Sequence, residues 1–174
     1  MLRNILSAVV ALAIAFVVVG LLLPKDYRVE RTTIINAVPN TVYSHVIDLK
    51  KNEAWNPWKR ADPTMKITYA DTSSGAGAWY SWTSKDSGDG KLTIMKAESG
   101  QRIENALDFG DMGTATGFWT FEPEGQQTKV TWGFYGSSEG DLIMAYFGLF
   151  MDMMAGPDFE KGLQNLKEVV EGNS

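Results

Sequence analysis

Hydrophobic and polar positions change rhythm along the chain, and each rhythm predicts a different element. The first is an unbroken run: ILSAVVALAIAFVVVGLLL, residues 5–23, carries no charge over 19 residues. At about 1.5 Å per residue, a helix of that length crosses roughly the 30 Å hydrocarbon core of a bilayer. YRVERTTIINA, residues 27–37, is rich in β-branched residues, sets Val29 and Ile35 at strand spacing and ends in the breaker VPN. It predicts a first strand. After Pro39, a residue suited to a first helical turn, Val42, Tyr43, Val46, Ile47 and Leu49 recur at three- and four-residue intervals. That spacing predicts a short amphipathic helix ending near Lys50. Six short apolar segments follow, from MKITYAD (65–71) to TKVTWGFYG (128–136), separated by SSGAG, DSGDG, SG, GDMG and PEGQQ. Turns of that length and glycine content join neighbours in an antiparallel meander. Residues 141–171 return to helical spacing through Leu142, Tyr146, Leu149, Met153, Leu163, Leu166 and Val170, and Gly156-Pro157 inside the run predicts a bend or restart there.

Strand, short helices, six-strand meander and long terminal helix make an α+β order in which one sheet buries its apolar face against one helix. With 174 residues, 44% hydrophobic and 21% charged, the chain has room for one compact domain plus an attachment. The expected division is a transmembrane anchor over residues 1–24 and a soluble domain over 25–174, giving a single-pass membrane protein. A cleaved signal peptide is the main alternative, since Arg3 supplies a basic start. The apolar core of such a peptide is usually only about 7–15 residues and ends at small residues, whereas this run ends in Leu21, Leu22, Leu23 and Pro24. A buried helix of a soluble protein is the third reading. Lys25, Arg28 and Arg31 after the run outweigh Arg3 and the α-amine before it, a slight lean toward a cytoplasmic domain that leaves the side open.

Several quoted segments also resemble a known family: INAVPNTVYSHVIDL after the first strand, WNPWKRADPTM, GAGAWYSW, LDF with TFEPEGQQTKVTW, and the terminal GPDFEKGLQNLKEVVE. In this order they are similar to the START-like superfamily of helix-grip proteins, in particular its polyketide cyclase/dehydrase and lipid-transport (SRPBCC) group, over about residues 27–171. The resemblance implies a curved antiparallel sheet of about seven strands wrapped on the long C-terminal helix, with a cavity between them. It supplies no common catalytic set.

The chemistry-bearing residues are sparse. Beyond residue 24 the chain holds 15 basic and 21 acidic residues, a net −6, which argues against nucleic acid or anionic lipid as a partner of this part. With no cysteine and one histidine, His45, thiolate chemistry is absent and a metal site is not expected. Asp108-Phe109-Gly110 matches a kinase magnesium motif without the companions that give it meaning. No catalytic constellation is visible, and no cofactor is expected.

The apolar faces say more. Alternation groups Tyr80 with Trp82, and Ile103 with Asn105 and Leu107, while Trp119 and Trp132 continue the surface that the resemblance makes concave. The terminal helix offers Tyr146, Phe150 and Met153 to it. Trp55 and Trp58, in the broken segment EAWNPWKRADP, are expected to close one end of the core and to form part of a ligand rim. These faces form either an ordinary packed core or a partly open apolar pocket, and for a pocket the candidate ligand-binding set is Trp55, Trp58, Tyr80, Trp82, Asn105, Trp119, Trp132, Tyr146, Phe150 and Met153, ten residues in all. Three functions are consistent with it. The first is a membrane-tethered module that binds a small hydrophobic molecule or lipid. The second is a protein-interaction, co-chaperone-like domain with Trp79 as its contact. The third is a cyclase/dehydrase-type enzyme relying on Tyr80, Asn105 and Tyr146.

Overall fold

The computed structural model describes residues 2–172; Met1, Asn173 and Ser174, at the ends of the two expected segments, lie outside them. The apolar run forms helix α1 (Leu2–Leu22), of whose residues only Gly20 is buried. Residues 23–25 join it to strand β1 (Asp26–Ile35). This junction is fixed at both ends. Lys25 Nζ donates to the Gly20 carbonyl at 2.8 Å, and the Lys25 carbonyl accepts from Ser138 N and Oγ at 2.8 and 3.0 Å.

Helix α2 (Pro39–Ile47) buries Val42 and Val46, the residues at helical spacing. A 3-10 turn (Lys51–Ala54) leads to helix α3 (Pro57–Ala61), where Asn56 caps the first turn by accepting from Lys59 N at 2.9 Å. The meander follows: β2 (Lys66–Tyr69), β3 (Trp79–Ser84), β4 (Gly88–Glu98), β5 (Arg102–Asp108), β6 (Thr114–Glu124) and β7 (Gln127–Ser137). All pairs are antiparallel and the sheet order is β1-β7-β6-β5-β4-β3-β2. Consecutive hairpins thus build the sheet outward to β2, and β1 closes on the last strand. The architecture is the expected α+β helix-grip fold, a curved seven-stranded sheet on a long C-terminal helix with an apolar helix before it.

The terminal segment departs from its expected shape. Helix α4 (Leu142–Gly148) is capped by Asp141, whose Oδ1 accepts from Ile143 N and Met144 N, both at 2.9 Å. It ends in tight i→i+3 bonds from Leu149 N to Tyr146 O and Phe150 N to Phe147 O. Helix α5 (Met151–Val170) then continues uninterrupted through Pro157. The break therefore falls at Leu149–Phe150, seven residues before the expected Gly156-Pro157 position. Pro157 is exposed, so the Met153 carbonyl deprived of its N–H partner lies toward solvent and the helix tolerates the loss.

α5 lies along β1. Arg31, on the same alternating face as Val29 and Ile35, reaches out to Asp152 and Glu160 at 2.7 Å each, and Glu171 accepts from Asn36 N at 2.8 Å. Beneath these contacts Phe159, Leu163 and Leu166 are buried. Gly162 is required here: a Cβ at this position would run into the Trp132 ring and meet Pro57 Cδ at 3.1 Å.

Candidate functional site

Between the concave face of the sheet and the helices lies a cavity of about 660 Å³. Its size falls within the roughly 300–1,000 Å³ typical of small-molecule sites.

One end is closed by aromatic rings. Trp119 and Trp132, paired across β6 and β7, stack at 4.5 Å between centroids with 12° between planes. Trp55 stands edge-on to both, at 5.5 and 5.7 Å, and Trp58 stands edge-on to Trp132 at 5.7 Å and to Phe159 at 5.8 Å. Edge-to-face contact is the favoured arrangement for ring quadrupoles. The indole N–H groups are also satisfied, Trp55 by the His45 carbonyl at 3.2 Å and Trp58 by Asp158 Oδ2 at 3.0 Å. Asn165, fully buried on α5, ties the segment down by donating to the Trp55 carbonyl at 3.0 Å. The EAWNPWKRADP segment is a plug whose two tryptophans seal the core and line the cavity.

The opposite wall carries Tyr80, Trp82 and Phe109, with successive ring centroids 5.8 and 6.0 Å apart. Tyr80 is buried, and burial pushes its hydroxyl pKa up to about 12. It remains a hydrogen-bond donor at neutral pH. On the sheet floor, Asn105 is 5% exposed and its Oδ1 has no hydrogen-bond partner among the described residues; Asn52 Oδ1, from the 3-10 turn, is likewise buried and without a partner among them. Both asparagines line the cavity, and among the described residues no lysine or arginine does. Gly117 stands opposite Asn105 on β6, with the Leu107 side chain packed over it, 3.3 Å from where a Cβ would sit.

Ser87, Met112, Phe147 and Met154 line the cavity and also reach solvent. The mouth therefore lies between the β3–β4 turn, the β5–β6 turn and the α4–α5 junction.

Seven of the ten candidate residues converge on this space: Trp55, Trp58, Tyr80, Trp82, Asn105, Trp119 and Trp132. Tyr146, Phe150 and Met153 do not. Tyr146 turns to α1, stacking on Phe16 at 4.5 Å and donating to the Phe16 carbonyl at 2.6 Å, while Phe150 and Met153 are 51% and 70% exposed. The break at Leu149–Phe150 changes the helical phase, so Met144, Phe147, Met151 and Phe159 take the inward positions. Asn52 and Asp158 also went unpredicted, because a polar residue in a 3-10 turn or on a helix carries no local mark of facing a cavity.

Among the described residues no cluster of His, Cys, Asp and Glu is arranged to hold a metal ion. His45 is half-buried, lies outside the cavity lining, and has its pKa lowered by desolvation and then by Lys51. Trp79, half-buried, is covered by the Lys91 ammonium 4.6 Å from its ring centre.

The family model described as polyketide cyclase/dehydrase and lipid transport matches residues 26–171. Among solved structures, protein TTHA0849 from Thermus thermophilus is 21% identical, with a TM-score of 0.59 over 84% of this chain and 99% of that one. Ara h 8.0201 is 11% identical, with a TM-score of 0.59 over 84% and 99% of the two chains. The Aha1 dimer from Colwellia psychrerythraea is 16% identical, with a TM-score of 0.54 over 83% and 96%. At these identities the likeness establishes the fold alone. No curated protein matches the chain.

Proposed function

The chain belongs to the polyketide cyclase/dehydrase and lipid transport family, and from that premise we propose that it is a membrane-anchored module holding a neutral, mostly apolar molecule or lipid between its sheet and α5. The observation that carries this reading is the pairing of an apolar cavity with buried amide oxygens, on Asn105 and Asn52, that have no protein partner. Leaving such a group unsatisfied costs about 1–3 kcal/mol, a cost that a ligand's hydroxyl or amide N–H removes. Tyr80, elsewhere in the lining, adds a donor. The lack of lysine and arginine in the lining favours a ligand without a phosphate or carboxylate.

On this reading residues 1–24 are the anchor and residues 25–174 the ligand-holding domain. Two features support an anchor over a core helix: α1 is long and apolar enough to cross a membrane, and Gly20 alone of its residues is buried. The tether keeps the cavity beside the bilayer, where molecules of this class partition. An enzyme of the cyclase/dehydrase type would have to work with Tyr80 and Asn105, since Tyr146 faces α1.

The test is native mass spectrometry of the full chain extracted from membranes in mild detergent, with identification of bound lipid. A neutral lipid at one copy per chain supports the reading. A lipid-free chain that also fails to take up a fluorescent diacylglycerol saturably overturns it.

A further inference from the structure

The surface of α4 is divided into stripes, and one of them has no partner among the described residues. Leu142 and Tyr146 face α1, where a Cβ on Gly20 would lie 2.8 Å from Leu142 Cδ2 and 3.0 Å from Tyr146 Cε2. Ala145 is buried. Met144 and Phe147 line the cavity. That leaves Ile143, 64% exposed, the outer part of Phe147, 49% exposed, and, just past the end of the helix, Phe150, 51% exposed. By helical spacing this stripe runs between the α1-facing residues and the cavity-facing ones. Met153, 70% exposed, extends it onto α5. Residues 142–151 contain no charge.

Soluble monomers rarely expose a contiguous apolar stripe of this kind. Its position says what covers it. The Tyr146 hydroxyl meets α1 at the Phe16 carbonyl, six residues before the end of that helix. At 1.5 Å per residue the contact lies about 9 Å below the helix end, within the roughly 5–10 Å to which an interfacial amphipathic helix sinks its apolar face. If α1 spans the bilayer, α4 cannot keep this contact and remain in water.

We propose that α4 and the turn after it are seated in the headgroup–acyl boundary beside α1, so that the mouth of the cavity opens onto the lipid. This rests on the reading of α1 as a membrane span. The bilayer is then both the docking surface and the compartment from which the ligand enters, through Phe147 and Met154, without crossing water.

The absence of native cysteine permits a direct test. Single-cysteine full-length chains, Ile143→Cys, Val10→Cys and Met95→Cys, are labelled with an environment-sensitive fluorophore and reconstituted into phosphatidylcholine vesicles carrying a nitroxide on the acyl chain. Val10 reports the middle of α1; Met95, exposed at a bulge of β4, reports the domain surface. The expected result is quenching at Ile143 roughly two-fold or more above that at Met95, with Val10 also quenched. Quenching at Val10 with Ile143 no higher than Met95 overturns the seating of α4 and leaves the anchor standing. Quenching at neither removes both. An Ile143 label shielded from an aqueous quencher but untouched by the lipid nitroxide marks a protein partner on this stripe and equally overturns the proposal.

Discussion

Replacing Asn105 with leucine should stabilise the protein, the reverse of what a buried substitution normally does. The side chain is 5% exposed and its Oδ1 is unpartnered, so the native residue carries a desolvation penalty of about 1–3 kcal/mol that leucine does not. Overpacking, the usual objection, is relieved because the cavity lies beside the residue. For a chain of this length 1 kcal/mol corresponds to roughly 2–4 °C in Tm, giving an expected rise of about 2–12 °C. The measurements are thermal unfolding for Tm and urea unfolding for the free energy of the delipidated full chain in micelles, both followed by tryptophan emission, for wild type and Asn105→Leu. Delipidation matters because a ligand bound to the native state adds its own stabilisation. The second readout is lipid retained per chain in native mass spectra, which should fall. A loss of more than about 1 kcal/mol, in line with an ordinary core substitution, would show that the amide is satisfied within the protein and refute the reasoning.

Three further outcomes follow from the packing. Leu163→Ala, at a residue 2% exposed, should cost about 2–5 kcal/mol, while Leu149→Ala, at one 52% exposed, should change little; paired urea titrations compare them. Gly162→Ala should destabilise by about 1–3 kcal/mol through collision with Trp132 and Pro57, although the gain in helix propensity alone would stabilise by about 1 kcal/mol; a higher Tm would contradict this. Asp62 accepts from the Thr64 hydroxyl at 2.6 Å and from the Ser84 hydroxyl at 2.7 Å, and these bonds, that from Thr64 foremost, hold its pKa below the usual aspartate value. A depressed folded-state pKa stabilises above the unfolded value near 4, and that contribution disappears as pH falls through the folded value. Asp62→Asn should therefore be less stable than wild type at pH 7, with a gap that narrows in acid; a gap independent of pH would contradict the assignment.

The meander was legible because alternation and glycine turns are local signals, each contained within about ten residues. Asn105 could be placed on an inner face for the same reason, since strand periodicity fixes it once Ile103 and Leu107 are assigned. The terminal helix was not legible at that level. Leu149 and Met153 continue an apolar spacing that reads as one stripe, but α4 must satisfy three surroundings at once: the sheet, the cavity and α1. Residues that are apolar for different neighbours cannot be separated by period alone. The break at Leu149–Phe150 is marked by a single glycine, Gly148 at the end of α4, whereas Gly156-Pro157 has both breakers and sits within α5. Whether a breaker acts depends on where its lost hydrogen bond points, which only the packed structure decides.

The junction between α1 and β1 sets the working radius of the domain. Three residues separate the two elements, and even fully extended they would reach only about 10 Å; here they are also held by Lys25 to Gly20 and by Ser138 to Lys25. A long flexible linker would let a ligand-holding domain swing out and deliver its cargo at a distance. With α1 as a membrane span, as proposed above, this one cannot leave the bilayer surface. If the cargo moves on, the acceptor has to come to the membrane to collect it, as a soluble protein or a neighbouring membrane protein approaching the mouth. On the proposed function, the short junction makes the domain a stationary dock, and any traffic it serves is carried by something else.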